Sequence, residues 1–372
     1  EISCSLVGSE MCIRDSVKYE ETLKMKQNAV QSLVNKTLKN KLQVRETVGM
    51  ENPLHYRNKA QYPIGINKQG EPVIGVFANR THEVIPIDNC LIQNKKSEEI
   101  AKFIIEFIKE KNISIYDEKT GKGLVRHIVT KVGIKTGEIM CVIVINGHKI
   151  PNENELVENL KTRYPEIKAI VKNINMKNTN VILGQENINL YGNGYIEDIL
   201  GEYKFKISPL SFYQVNPVQA EKLYNLGVSM AEITKNDVVF DLYCGIGTIS
   251  LFMSKFAKKV YGIEIVEEAV KMAKENAQNN NVSNTEFFAG DVEIVLDDLI
   301  NNKGLKADVV MFDPPRKGLD KKSIDNILNI RPKKIVYISC NPATLIRDLA
   351  DFENEYDIKT IIPVSYTHLR AH

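Results

Sequence analysis

The spacing of apolar positions divides the chain into two halves with different periods. From Tyr19 to about Asn40 apolar side chains recur at helical spacing (Leu23, Met25, Val30, Leu33, Val34, Leu38), which predicts an amphipathic helix. Between Tyr56 and Ile87 short alternating runs are interrupted by Asn67-Lys68-Gln69-Gly70 and Asn79-Arg80, the pattern of antiparallel hairpins. A helix over Lys96–Lys111, strands over Val125–Ile134 and Ile139–Ile145, a helix over Glu153–Arg163 and a strand over Ala169–Ile174 complete an α+β half. From about Pro217 helices and strands alternate regularly. Strands are predicted at Val238–Leu242, Lys259–Ile263, Glu286–Ala289, Asp308–Phe312 and Lys334–Ile338, with one more beginning at Lys359–Ile362. The intervening helices fall at Val218–Ile233, Thr248–Phe256, Glu267–Asn279, around Val292–Ile300, and Pro342–Phe352. Such alternation implies a parallel, doubly wound, Rossmann-like sheet, whose ligand sits beyond the carboxyl ends of the strands.

Four segments follow. Residues 17–205 are expected to form an α+β central domain with an N-terminal helix, and 206–364 an α/β domain. Residues 1–16 (EISCSLVGSEMCIRDS) and 365–372 (SYTHLRAH) read like translated adaptor sequence at the ends of a gene call. They are expected to be non-native and to lie outside the fold.

Composition narrows the class without naming a partner. The 372 residues suffice for two or three cores, and 43% hydrophobic with 26% charged residues is ordinary for a globular chain. No apolar run has the length of a membrane span, and no basic-then-apolar leader opens the chain. A net charge of +2 neither requires nor forbids a nucleic-acid partner. The six cysteines (Cys4, Cys12, Cys90, Cys141, Cys244, Cys340) include no CxxC pair, so reduced thiols in a cytoplasmic protein are expected.

The chemistry lies at the strand ends of the second half. Gly245-Ile246-Gly247 follows a strand and opens a helix, the position where a backbone approaches a nucleotide cofactor. Ser250 stands where a dinucleotide fingerprint has its third glycine, so S-adenosylmethionine, which has no pyrophosphate, suits the loop better than NAD. Glu264 ends the next strand, 19 residues on, placed for ribose hydroxyls, and Asp291 ends the strand after that, beside the cofactor's base. Each acid alone reads equally well as a helix cap. Asp313-Pro314-Pro315-Arg316 ends a buried strand. An arginine in place of the aromatic residue found in amino-group methyltransferases favours a pyrimidine oxygen or a phosphate as its partner. Cys340 lies 27 residues after Asp313, ahead of Asn341 as N-cap and Pro342 as first helical residue. A helix N-terminus favours its thiolate, so Cys340 is expected to be a nucleophile rather than a small buried hydrophobe. Cys141 and Cys244 are assigned to packing.

At these residues the chain resembles the RNA uracil-C5 methyltransferases. The matching stretches are Phe212-Tyr213-Gln214-Val215-Asn216, Asp241-Leu242-Tyr243-Cys244-Gly245-Ile246-Gly247-Thr248, Gly262-Ile263-Glu264, Asp313-Pro314-Pro315-Arg316-Lys317-Gly318 and Ser339-Cys340-Asn341-Pro342. The resemblance implies that Gln214, Tyr243, Gly245, Thr248, Glu264, Asp291 and Asp313 contact S-adenosylmethionine and that Cys340 is the nucleophile. It implies that Arg316, Arg57 and Lys59 face RNA. Lys24-Met25-Lys26-Gln27 and Arg57-Asn58-Lys59-Ala60-Gln61-Tyr62-Pro63 look closest to the branch acting on 23S ribosomal RNA, with transfer RNA as the alternative and a monomer expected. Two departures matter. Cys90 matches the fourth ligand of the family's [4Fe–4S] cluster, but its three partners would fall where the Cys12 segment stands, so no metal site is expected here. The family's general-base glutamate lies just beyond Pro363-Val364, where this chain diverges. A catalytically incomplete fragment that binds RNA and S-adenosylmethionine is therefore the competing reading, and a cytosine-C5 enzyme the third.

Overall fold

The computed structural model describes residues 2–6, 18–78 and 81–367. In chain order it begins with β1 (Ile2–Leu6) and α1 (Tyr19–Thr37). Next come β2 (Lys59–Ile66), β3 (Pro72–Phe77), β4 (Val84–Pro86), α2 (Lys95–Glu110), β5 (Val125–Val132), β6 (Ile139–Ile145), α3 (Glu153–Arg163), β7 (Ile167–Ile174), β8 (Glu186–Gly192), β9 (Ile196–Leu200) and β10 (Tyr203–Ile207). The chain then continues through α4 (Pro217–Ala231), β11 (Val238–Leu242), α5 (Thr248–Ser254), β12 (Lys259–Glu264), α6 (Glu267–Asn279), β13 (Thr285–Ala289) and α7 (Val292–Asp297). It ends with β14 (Val309–Phe312), α8 (Lys321–Ile330), β15 (Lys334–Ser339), α9 (Pro342–Phe352) and β16 (Ile361–Val364). Two compact units result. One comprises Asn52–Pro217; the other comprises Glu1–Glu51 with Val218–Arg370.

The 52–217 unit is a mixed sheet in the order β4-β3-β2-β5-β6-β7-β8, antiparallel except between β6 and β7, with the β9–β10 hairpin apart. Every residue of β5 and β6 is buried. Ile100, Ala101, Ile104 and Ile108 of α2 fill the core beside Ile128, Cys141 and Ile143. β5 ends at Val132 rather than Ile134, because Gly133 turns the chain and its N–H donates to Glu138 O at 2.8 Å. The sequence pattern predicts no strands over 186–207. The alternation in β8 is too polar to stand out, since its residues are exposed or half-buried.

The other unit carries a parallel sheet in the order β13-β12-β11-β14-β15-β1-β16. Two expectations fail here. The segment expected to lie outside the fold supplies β1, which pairs in parallel with both β15 (Cys4 opposite Ile338) and β16 (Cys4 opposite Ile362). Of the residues expected to be non-native, 1, 7–16 and 368–372 lie outside the described residues, as does Val17 of the expected central domain. Helix α1, expected with the central domain, packs instead with this unit. Val30, Val34 and Leu38 share a core with Phe240, Phe312, Tyr337 and Phe352, because its apolar stripe faces α9. The chain after α1 then lines the sheet edge: Arg45 N donates to Ile361 O and Val48 N to Pro363 O. Ser365 is fully buried, and its Oγ accepts from the equally buried amine of Lys26 at 2.7 Å. Helix α8, absent from the sequence-based expectation, opens with Asp320 accepting from Ser323 N and buries Ile324 and Ile327.

Candidate active site

The β11–α5 turn is shaped by backbone that only some residues tolerate. Tyr243, Gly245 and Gly247 all have positive φ (65°, 54° and 80°), so a tyrosine holds a left-handed conformation at a cost of about 1 kcal/mol or more. A Cβ on Gly245 would meet nothing within 4 Å, whereas one on Gly247 would press on Ala273 and Phe287 at 3.0 Å. Gly245 thus faces open space and Gly247 secures packing. Glu264 at the end of β12 accepts from Gly245 N at 3.1 Å through one oxygen and from Val266 N at 3.0 Å through the other. It braces the turn and keeps a lone pair on each oxygen for a ligand hydroxyl. Asp291 caps α7 by accepting from Glu293 N at 2.9 Å, which is the cap role the sequence left open, and its other oxygen is exposed with the rest of the side chain. Thr248 is the first residue of α5. Behind the turn, Asp241 accepts from Ser250 Oγ at 2.5 Å and leaves Oδ1 buried without a partner. Burial, reinforced by the charges of Asp313 and Glu264, pushes its carboxyl up to about 7. Burial does the same to Asp313. An open glycine face ringed by carboxylates fits the hydroxyls and the positive sulfonium of S-adenosylmethionine.

Cys340 directly follows β15 and is exposed. The helix start is built as the sequence implied: Asn341 Oδ1 accepts from Ala343 N at 3.1 Å and Pro342 follows. The expected depression of the thiol's pKa does not occur. Burial of the sulfur's surroundings and the negative charge of Asp313 raise it, and Arg316 offsets only part.

Helix α9 also holds the turn after Asp313, which sequence reasoning did not find. Arg316 O accepts from Asn341 Nδ2 and from Thr344 Oγ1, both at 3.4 Å. Arg347 Nη2 donates to Lys317 O and Leu319 O at 3.1 Å each. Asp348, 1% exposed, accepts from Leu319 N at 2.8 Å and from Tyr337 Oη at 2.6 Å. Gly318 (φ 77°) has no room for a Cβ, which would stand 2.6 Å from Asp348 Oδ2. The signal was a buried-type strand and an amphipathic helix that both carry polar residues, Tyr337 and Asp348, on their inner faces.

The remaining expected residues lie in the 52–217 unit. Gln214 sits in the 208–216 loop, whose carbonyls are clamped from β2 and β5. Asn58 Nδ2 donates to Gln214 O and Asn58 N to Val215 O, each at 3.0 Å. Lys131, 4% exposed, donates to Ser208 O at 2.7 Å and Ser211 O at 2.9 Å. Lys131 escaped notice as one lysine in an otherwise apolar strand. Lys59 is half-buried, its amine lowered by desolvation and by Arg57. Cys90 is part-buried, with its backbone N–H on Glu98 Oε2 at 2.9 Å. Among the described residues no group of three or more His, Cys, Asp or Glu could hold a metal. Cys90 thus has no set of fellow ligands for an iron–sulfur cluster among the described residues. Cys141 is fully buried, with its thiol pushed up to about 12, in keeping with packing, and Cys244 is also buried. Among the described residues no helix is long and apolar enough to cross a membrane.

A parallel α/β sheet with a glycine turn, a bracing acid and further carboxylates on successive strand ends defines an S-adenosylmethionine-dependent methyltransferase domain. The model of the tRNA (uracil-5-)-methyltransferase family matches residues 18–364, and the chain belongs to that family. An uncharacterized RNA methyltransferase of Clostridium tetani is 44% identical over 95% of this chain and 80% of its own length. One from Caldanaerobacter subterraneus subsp. tengcongensis is 47% identical over 92% and 75%. The crystal structure of Pyrococcus abyssi tRNA (uracil-54, C5)-methyltransferase in complex with S-adenosyl-L-homocysteine aligns with a TM-score of 0.77 at 27% identity, covering 96% of this chain and 82% of that one. The chain is an RNA methyltransferase that uses S-adenosylmethionine, with the α/β, Rossmann-like fold its pattern predicted.

Proposed function

We propose that the chain methylates C5 of a uridine in RNA through a covalent bond between Cys340 Sγ and C6 of the base. The observation that carries this is an exposed Cys340 at a strand end, tied through Asn341 and Thr344 to the Asp313–Gly318 turn. Tyr243, Gly245, Thr248, Glu264, Asp291 and Asp313 would hold S-adenosylmethionine, which when bound supplies an electrophilic methyl group. C5 of uracil is a weak nucleophile. Addition of the Cys340 thiolate to C6 breaks the C5–C6 double bond and places the electron pair on C5 and O4, which makes C5 nucleophilic. Arg316 is placed to meet the anionic oxygen or a phosphate. Once C5 carries the methyl, loss of its proton restores the double bond and expels the thiolate. No residue around Cys340 is assigned as the base for that last step. The target base reaches the thiol unstacked.

Ribosomal RNA is the substrate the Lys24–Gln27 and Arg57–Pro63 stretches favour; transfer RNA is the second reading, favoured by the similarity to the Pyrococcus abyssi enzyme. The test incubates the chain with 5-fluorouridine-containing RNA and S-adenosylmethionine. A denaturation-resistant adduct that disappears in Cys340→Ala supports the covalent route, because fluorine at C5 cannot leave as a proton. Cofactor and RNA binding with no such adduct would leave a binding fragment. Nucleoside digests of ribosomal and transfer RNA methylated by the chain then separate the two substrates, and 5-methylcytidine in either would redirect the reading to cytosine.

A further inference from the structure

Ser323, the third residue of α8, is buried and joins two segments expected to meet the cofactor. On one side is Tyr243, whose hydroxyl is hydrogen-bonded to the Ser323 side chain. On the other is Glu293 of α7, whose Oε1 accepts from Ser323 Oγ at 3.5 Å. Glu293 in turn gives its backbone N–H to Asp291 Oδ1 at 2.9 Å, and its Oε2 pairs with Lys322. The Asp320 carboxylate, which caps α8 by accepting from Ser323 N at 2.8 Å, also meets the Ser323 side chain. A line of polar contacts therefore runs from the β11–α5 turn through α8 to the cap of α7. Its ends, Tyr243 and Asp291, lie just beyond β11 and β13. Tyr243 is also the residue of that turn that most needs an anchor. Its φ of 65° is left-handed, and a side chain other than glycine keeps that conformation only where its surroundings over-determine it. Its ring packs on the core to which Val292 of α7 and Ile324 of α8 belong, and the hydroxyl at the far end of the ring is where Ser323 holds it. Burial raises the pKa of that hydroxyl, and the charges of Asp320, Asp291 and Glu293 add to the effect, so it keeps its proton and donates.

We infer that Ser323 is a positioning residue for S-adenosylmethionine: its hydroxyl ties Tyr243 to Glu293 and so fixes the spacing of two strand ends that the cofactor meets. The inference rests on the cofactor residues read above. Tyr243 then serves the site through its backbone and ring, with its hydroxyl spent on Ser323 rather than on the ligand. The turn that Tyr243 opens presents Gly245 N to Glu264 at 3.1 Å and closes with Gly247 N on Cys244 O at 2.9 Å. Slack at the hydroxyl lets Tyr243 relax toward an unstrained φ, which moves the open face of Gly245 and the brace on Glu264 together. A turn already held in place need not be ordered by the ligand, so the tether appears as affinity for the cofactor.

The test is a double-mutant cycle on the full chain, read by calorimetric titration with S-adenosylhomocysteine. Tyr243→Phe removes the hydroxyl alone, and Ser323→Ala removes its partner. Each is expected to weaken binding roughly fivefold, the size of one neutral hydrogen bond, and the double variant no more than either, because the two groups act as a unit. In the ligand-free chain both variants are expected to speed amide hydrogen exchange at Cys244, Gly245 and Gly247, with exchange along β14 and β15 as in the parent. At saturating S-adenosylmethionine, Ser323→Ala is expected to form the 5-fluorouridine adduct at the parent's rate, so its loss falls on KM for the cofactor and not on kcat. Additive losses in the double variant, with Tyr243→Phe the larger, would place the Tyr243 hydroxyl on the ligand and overturn the inference. Parent affinity and parent exchange in both single variants would overturn it too. Glu264→Ala, which removes the brace on Gly245 N, separates that result from a failure of the site. If Glu264→Ala still weakens binding, the cofactor site stands without the tether; if it does not, the reading of the site falls with the inference.

Discussion

Asp348 is the residue on which the geometry of the Cys340 region most depends, and Asp348→Asn tests that. The carboxylate is 1% exposed and takes four donors. Oδ2 accepts from Tyr337 Oη at 2.6 Å and Leu319 N at 2.8 Å; Oδ1 accepts from Arg347 Nε at 2.8 Å and Nη2 at 2.5 Å. Asparagine keeps the shape but replaces one oxygen with a donor. If the NH2 faced Leu319 N, two donors would meet in a buried site. The amide therefore turns its NH2 toward Arg347, whose side chain is 56% exposed and can swing into water. What is lost is a half-exposed ion pair, worth about 0.5–1 kcal/mol, and the ionic character of two buried hydrogen bonds, about 0.5–1 kcal/mol each. The expected destabilisation is about 2 kcal/mol. Asp348→Ala strands Tyr337 Oη and Leu319 N as well, and about 4 kcal/mol is expected. The chain contains no Trp, so urea unfolding is followed by far-UV circular dichroism. The rate of adduct formation with 5-fluorouridine RNA is measured alongside, because release of Arg347 from Lys317 O and Leu319 O loosens the turn carrying Arg316. A variant within about 0.5 kcal/mol of the parent, with an unchanged adduct rate, would refute the reasoning, since that is the behaviour of an ordinary surface site.

Further outcomes follow from the charges. The Cys340 thiol is raised above its ordinary 9.0, so it is protonated at neutral pH and the adduct rate should climb about tenfold per pH unit with no plateau below pH 9; Arg316→Ala should move the curve higher still, and a plateau near pH 7 in a stopped-time gel assay would contradict this. Asp241 is raised from 3.8 to about 7 on folding, so its contribution is fully present below about pH 4 and is lost as pH rises through 7. Asp241→Asn should therefore flatten the decline in urea midpoint across that window, and an unchanged slope would count against it. Purified under anaerobic conditions, this chain should show no absorption near 400 nm and no stoichiometric iron, because Cys90 stands without a ligand set among the described residues; four irons per chain would overturn that. Gly318→Ala should lower the urea midpoint and slow adduct formation together, because its Cβ would stand 2.6 Å from Asp348 Oδ2 at a φ of 77°.

How much of this was legible in the sequence depended on whether the signal was local. The β11–α5 turn, Glu264, Asp313 and Cys340 could be placed at the carboxyl ends of strands, where a parallel sheet gathers its ligand site, because strand ends can be read from the run of apolar residues. Strand β8 could not, because its residues are exposed or half-buried and its polar alternation resembles loop, whereas β9 and β10 carry an alternation of buried residues (Ile196, Leu200, Phe205, Ile207) in runs of only five residues each. The placement of α1 depended on tertiary contact: an amphipathic stripe shows that a helix buries one face and not which core receives it. The same limit explains Ile2–Leu6, whose composition suggested foreign sequence while its short apolar alternation is enough to occupy a strand position between β15 and β16. The thiol is the most instructive case. A helix N-terminus is visible in Asn341-Pro342 and argues for a stabilised thiolate, worth about 0.3–1 kcal/mol at an exposed end. The carboxylate of Asp313 is equally visible, but that its charge bears on the sulfur depends on β14 and β15 being neighbours in the sheet, with Phe312 opposite Tyr337. Both groups can be read along the chain but their adjacency cannot, and that adjacency adds the Asp313 charge to the burial that is the larger cause of the raised thiol. A nucleophile held protonated by burial and, second, by a neighbouring carboxylate is one whose reactivity depends on what else enters the site, so the pH profile of the adduct measured with and without S-adenosylmethionine is the measurement that bears most directly on how this centre works.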